Sequence, residues 1–170
     1  VSHSKRIIKL LKKECAMKPK RTLILGIGNL LQKDDGVGVH VIQYMQQHNV
    51  LLPQHVELLD GGIAGFDLIS HMIQFDKIMI VDALNVHDKP GSIYRFAGEH
   101  LVSKSPNVSL HELGIAEVLK VLKIQGANPD IEVIGIVPEN IKDLDMTLSP
   151  SVAESVPRVV DLILESVTVH

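Results

Sequence analysis

Apolar and polar positions along this chain follow two alternating spacings. Thr22 to Ile27 is a continuous apolar run, the pattern of a strand buried on both faces. Val37, Val41, Ile42 and Met45 then recur at helical spacing and predict a helix over about Asp35 to Gln47. Val56 to Leu59 reads as a short strand ended by Asp60-Gly61-Gly62, and a helix from about Ala64 to Ile73 follows. The run Lys77 to Val81, ended by Asp82, is a third strand, and Pro90-Gly91 opens a fourth over Ser92 to Phe96. Leu113, Val118, Leu119 and Leu122 predict a helix over His111 to Lys123. Glu132 to Val137 is a fifth strand closed by Pro138. Pro150 then suits the first turn of a last helix, Ser151 to Ser166, in which Pro157 predicts a kink or a late start.

Strands alternating with helices in this way specify an α/β fold: a three-layer sandwich with a mostly parallel, twisted, five-stranded sheet and helices on both faces. Residues 21–170 form one domain, and 1–20 stand apart as a basic N-terminal extension. At 170 residues and 45% hydrophobic, the chain is long enough to bury a sizeable core. Aromatic residues make up only 3%, with no Trp, so the core rests on Ile, Leu and Val and no stacking platform for single-stranded nucleic acid is available.

The net charge of −3 conceals an asymmetry. Residues 1 to 21 hold eight of the 17 Lys and Arg but one of the 20 Asp and Glu, which leaves 9 bases against 19 acids, about −10, in the rest. The acidic domain argues against a nucleic-acid partner. The basic extension, with Ile7, Ile8, Leu10 and Leu11 among its lysines, is compatible with a short amphipathic helix. Its apolar stretch is too short for a signal-peptide core, and nothing approaches the ~20 apolar residues of a membrane span, so a cytoplasmic protein is expected. The only cysteine, Cys15, also lies there, which removes disulfides, a Cys-based zinc site and a domain thiol nucleophile from consideration.

The loop after the first strand, Gly26 to Gly38, imitates a dinucleotide-binding fingerprint but has Leu31 where the third glycine is needed. It runs on to Asp34 and Asp35. In open parallel sheets, sites form beyond the carboxyl ends of the strands. Acids stand at three such ends: Asp34 and Asp35, Asp60, and Asp82. Asp34 or Asp35 has an alternative role as a helix cap, favoured for Asp34, and Asp60 an alternative role in setting a turn. An unpaired Asp82 directly after Ile78-Met79-Ile80-Val81 would be costly, which favours a functional role. Among the nine histidines, His40, His48 and His71 fall on helices where a solvated face is the default; His111 differs by opening a helix after a loop. One histidine with two carboxylates is a donor set suited to zinc or nickel. No Gly-x-Ser-x-Gly elbow and no His-Glu-x-x-His motif is present.

Five ordered motifs carry a resemblance over about Arg21 to Ser166: Leu25-Gly26-Ile27-Gly28-Asn29 through Asp34-Asp35-Gly36-Val37-Gly38; Leu59-Asp60-Gly61-Gly62; Val81-Asp82-Ala83; His111-Glu112-Leu113-Gly114; and Gly135-Ile136-Val137-Pro138-Glu139. In these the chain resembles the hydrogenase maturation endopeptidases, which trim the carboxyl-terminal extension from the large-subunit precursor of nickel-iron hydrogenases. The resemblance implies that Asp35, Asp82 and His111 contact a metal and carry catalysis, and that Asp60, Gly61 and Gly62 contact substrate. The family has Glu or Asp at the first metal position, and this chain has the shorter Asp35. The metal implied is nickel arriving with the precursor, with zinc or another divalent ion as a substitute, and a monomeric enzyme is expected. A non-hydrolytic nickel chaperone and a nucleotide-binding module are the competing readings.

Overall fold

The computed structural model describes residues 19–63, 65–102 and 110–168, the side chains of 101–102 and 110–114 excepted. The basic extension up to residue 18, with Cys15, lies outside the described residues. Five strands, β1 (Thr22–Ile27), β2 (Val56–Gly62), β3 (Lys77–Ala83), β4 (Ile93–Ala97) and β5 (Asp130–Ile136), form one sheet in the order β2-β1-β3-β5-β4. All neighbours run parallel except the β4–β5 pair, which is antiparallel. The mostly parallel sheet expected from the alternation is therefore present, with its one reversal at an edge.

A 3-10 turn (Lys33–Gly36) leads directly into helix α1 (Val37–Gln47). A second 3-10 turn (Phe66–Leu68) leads into the short α2 (Ile69–Met72), and α3 (Glu99–Val102), α4 (Leu110–Ile124), α5 (Pro150–Ala153) and α6 (Val156–Thr168) follow. The expected final helix is two helices. Pro150 sits at the start of α5, and α6 begins just before Pro157, so the proline occupies a first turn in which no backbone donor is needed.

Strand alternation divides the core between the two faces. Ile24, Met79, Val81, Ile134 and Ile136 pack with Val37, Val41, Ile42 and Met45 of α1 and with Val156, Val159, Val160 and Ile163 of α6. Leu23, Leu25, Ile27, Ile78, Ile80 and Val133 face Ile69 and Met72 of α2 and Ile115, Val118 and Leu122 of α4. These are the two helical layers of a three-layer domain.

The antiparallel edge strand is secured by charge. Glu132 on β5 accepts from Lys77 Nζ of β3 at 2.8 Å and from the Arg95 side chain of β4. Burial alone raises the Glu132 carboxyl pKa, but the hydrogen bonds and charges of Arg95 and Lys77 outweigh it and hold the group below its ordinary value. A depressed carboxylate contributes stability that is complete above the ordinary glutamate range and lost as pH falls through the lower folded value. Glu132→Gln should therefore cost about 1 kcal/mol near neutrality. Urea unfolding of both proteins down to about pH 3 should show that difference shrinking toward zero.

Candidate active site

The order of the sheet determines where a site can form. The chain leaves β1 toward β2 on one side and later returns to add β3 on the other, so the strand order reverses between β1 and β3. A crevice at the carboxyl ends opens at such a reversal. The loop after β1 supplies Asp34 and Asp35 to this point, and β3 supplies Asp82.

Two close approaches bring these segments together. A Cβ on Gly38 in the first turn of α1 would lie 2.1 Å from the Val81 carbonyl oxygen and 2.4 Å from that of Ile27. No real side-chain carbon fits there, so α1 starts in direct contact with the ends of β1 and β3. Gly28, at φ 136°, lies with its missing Cβ position 1.9 Å from the Asp35 carbonyl oxygen. The turn carrying Asp35 thus folds back over the end of β1 and packs on β3.

Asp35 and Asp82 are both buried, 6% and 5% exposed. Asp35 Oδ2 accepts the Asn29 N–H at 2.9 Å, which fixes the carboxylate within its own loop. Asp82 does not end its strand, as the sequence suggested. It pairs in register with Gly135 inside β3, and its Oδ1 accepts the Ala83 N–H at 2.8 Å. The strand runs on because β5 offers a partner as far as Ile136, a tertiary contact invisible in the β3 segment alone.

His111 is the second residue of α4, the helix whose Ile115, Val118 and Leu122 pack on the sheet face shared by Ile78 and Ile80. By strand alternation, Asp82 belongs to that same face. The His111 side chain lies outside the described residues. Among the described residues, no three His, Cys, Asp or Glu groups are placed to hold a metal ion. Asp35 and Asp82 are each oxygen donors of the type that a divalent ion takes.

Asp60 is positioned differently. β2 continues through Asp60 to Gly62 because a bulge after the Gly26–Asp60 pair takes up one residue, re-pairing Ile27 with Gly62. Asp60 is exposed, and its Oδ1 accepts the Gly62 N–H at 3.0 Å, a local turn bond. β1 separates Asp60 from Asp82, so their backbones lie about 10 Å apart, two strand spacings. Asp60, Gly61 and Gly62 thus lie at the carboxyl end of β2, one strand removed from the two buried acids.

Asp34 is not a helix cap. Neither the 3-10 turn nor α1 receives a side-chain cap. Instead its fully buried carboxylate accepts backbone N–H groups of Glu139 at 2.9 Å, Asn140 at 2.8 Å and Ser149 at 2.7 Å. This draws the long β5–α5 connection onto the β1 loop. His40, expected on a solvated face, also meets this connection. Its Nε2 is buried without a hydrogen-bond partner among the described residues. Burial lowers the His40 pKa, opposed by a hydrogen bond with the Met146 backbone and by the Asp34 charge, so the ring is neutral at pH 7.

Four amides of the glycine loop are already engaged and cannot serve a phosphate. Gly28 N–H donates to Gly62 O, Asn29 N–H to Asp35, Leu31 N–H to Asn29 Oδ1 and Gln32 N–H to Asn29 O. A phosphate cradle needs such donors directed outward. With these four amides turned inward, the loop lacks the set of donors that the nucleotide-binding reading requires.

With buried acids at the switch point and most of the loop amides internally paired, the relatives decide the family. The hydrogenase maturation protease family model matches residues 39–166. The chain belongs to the hydrogenase maturation protease family. It is 33% identical over 147 residues to the hydrogenase 2 maturation protease of Escherichia coli strain K12, covering 85% of this chain and 88% of that protein. The structure of the hydrogenase maturating endopeptidase HybD from E. coli superposes with a TM-score of 0.77 at 31% identity, covering 86% of this chain and 91% of that one. The [NiFe] hydrogenase maturation protease HybD from Thermococcus kodakarensis gives 0.74 at 31%, covering 87% and 99%. As a member of this protease family the chain is a hydrolase, and its five-stranded sheet is the frame of that family's fold.

Proposed function

We propose that this protease removes the carboxyl-terminal extension of a nickel-iron hydrogenase large-subunit precursor after nickel insertion. The observation that carries the reading is the pair of buried carboxylates, Asp35 and Asp82, delivered by two different strand ends to the switch point of a maturation-protease fold. Nickel is read as part of the substrate. Asp35, Asp82 and His111 are the residues that would meet it, and zinc or another divalent ion has donors of the right type in the same set. Bound there, a divalent ion supplies Lewis acidity toward the scissile carbonyl or the attacking water.

The chain's own contribution is position and charge. Asp35, oriented by the Asn29 N–H, and Asp82, oriented by the Ala83 N–H, present fixed negative charge in a site shielded from bulk water. Charge in such a setting acts more strongly than in bulk water. A carboxylate so held also serves as a proton acceptor when water attacks. Asp60, Gly61 and Gly62 line the rim where the peptide enters. The protein is proposed to act as a monomer in the cytoplasm. No helix among the described residues is long and apolar enough to cross a membrane.

Mass measurement of a purified precursor incubated with this protein tests the reading. The nickel-loaded precursor should lose its carboxyl-terminal extension, and the nickel-free precursor should stay intact. An intact mass in both arms would sink the protease reading and favour the nickel chaperone.

A further inference from the structure

The turn that carries Asp35 does not hold its shape unaided. Lys33, two residues before Asp35, has φ 49°, a left-handed backbone that a residue with a side chain rarely adopts. Such a conformation persists only where surrounding bonds over-determine it. One tie is the Lys33 N–H, which donates to Asp145 O at 2.7 Å. The other is Asn29, each of whose four polar groups bonds within residues 29–35. Its carbonyl oxygen accepts the Gln32 N–H at 3.0 Å, and its Oδ1 accepts the Leu31 N–H at 3.0 Å. Its Nδ2 donates to Gln32 Oε1 at 3.1 Å, and its N–H donates to Asp35 Oδ2 at 2.9 Å. The Asp35 N–H donates to Gln32 O at 3.0 Å and closes the ring.

Asp35 is therefore fixed twice, through its backbone and through its carboxylate. The backbone packs on Gly28, where a Cβ would lie 1.9 Å from the Asp35 carbonyl oxygen, and the carboxylate returns to the next residue, Asn29. Only one methylene separates an aspartate carboxyl from its backbone, so the oxygens follow the loop closely. Any residue at position 29 supplies the N–H, but the Asn29 side chain sets its aim. The bond from Leu31 N–H to Oδ1 is an Asx turn, which fixes the Asn29 backbone against the residues that follow. The Nδ2 bond holds Gln32, which also accepts from the Asp35 N–H and pairs with Asp145. A short amide both accepts and donates, whereas an ionised aspartate at this position would only accept.

We infer that Asn29 is a positioning residue for the protease: its side chain closes residues 29–35 into one ring and thereby holds the Asp35 carboxylate in the orientation that meets the substrate. This rests on the function proposed above, in which Asp35 meets the metal of the precursor. Asn29 acts through Asp35 and not on the reacting atoms. Misplacing a reacting group by about 1 Å costs up to about 100-fold in rate. Such a loss falls on kcat when binding of the rest of the substrate is unchanged.

The test compares the full-length parent with Asn29→Ala and Asn29→Ser. Serine keeps an oxygen able to accept the Leu31 N–H, so it restores the turn in part. On nickel-loaded precursor, Asn29→Ala should lose at least about tenfold in kcat with KM within about twofold of the parent, and Asn29→Ser should recover most of the loss. Its melting temperature should fall by no more than about 4 °C, because the side-chain bonds lie in a half-exposed loop. The second readout is the NMR shift of the residue 29 amide proton, and the change that Asp35→Asn causes in it reports the bond to the carboxylate in each background. That change should be large in the parent, small in Asn29→Ala and restored in Asn29→Ser. A kcat for Asn29→Ala within about twofold of the parent would overturn the inference. So would an undiminished Asp35-dependent shift in Asn29→Ala, or a loss of rate that follows the melting temperature and that serine does not relieve, the mark of a purely structural role. A parent that never cleaves overturns the protease reading instead, and the amide shifts then decide whether Asn29 holds Asp35.

Discussion

Asp82→Asn is expected to slow precursor processing at least about 100-fold while leaving the fold intact. Asn occupies the same volume, and its side-chain oxygen still accepts the Ala83 N–H bond made by Asp82 Oδ1 at 2.8 Å. Register between β3 and β5 is set by the backbone, with Asp82 opposite Gly135, and does not depend on the charge. What is lost is the negative charge of a residue only 5% exposed. On the proposed reading, the missing charge weakens the grip on a divalent ion and with it the Lewis acidity toward the scissile carbonyl. His111→Ala should abolish processing in the same assay. Circular dichroism and thermal melts of Asp82→Asn should match the parent, and full processing by both variants would remove Asp82 and His111 from the site.

Asp34→Ala is expected to produce the largest loss of stability, about 3 to 4 kcal/mol, or roughly 10 °C in melting temperature for a domain of this size. The carboxylate is fully buried and satisfies three backbone donors that have no other acceptor within the connection. Removing it strands the buried Ser149 N–H, at about 1 to 3 kcal/mol, and the half-buried donors of Glu139 and Asn140 at less each, because water reaches them. Asp34→Asn should lie between parent and Ala. Its single oxygen can replace Oδ2, which takes Glu139 and Asn140, but its amide then opposes the Ser149 N–H. Denaturant unfolding of the three proteins gives the order directly. A loss under about 1 kcal/mol for Ala would show that the connection is held by the backbone bridge at Asp145 instead.

These two expectations separate adjacent residues that look alike in sequence. Asp34 and Asp35 stand side by side in one turn, yet Asp34 points into the β5–α5 connection and Asp35 toward its own loop. Helix capping is a local interaction and was the natural reading of an acid before a helix. It failed for Asp34 because the competing acceptor site is built from amides 105 to 115 residues away. The exposed position of Asp60, its turn bond to Gly62 and the glycines that follow it agree with the turn role available from sequence. His40 was misread for the same reason as Asp34, since its half-buried ring meets the distant Met146 backbone.

The elements were legible because their causes are local. An apolar run buried on both faces gave β1 to the residue, helical spacing gave α1 and α4 within a residue or two, and Pro157 announced the break before α6. The alternation of elements was enough for the α/β class, and the acids at strand ends were visible as a set. Tertiary structure alone decided which of them belong together. The strand order β2-β1-β3-β5-β4 places the reversal between β1 and β3, which brings the turn carrying Asp35 onto the end of β3 and leaves Asp60 one strand further out. Strand order depends on which apolar faces pair across the whole chain, and spacing along a segment contains no record of that choice.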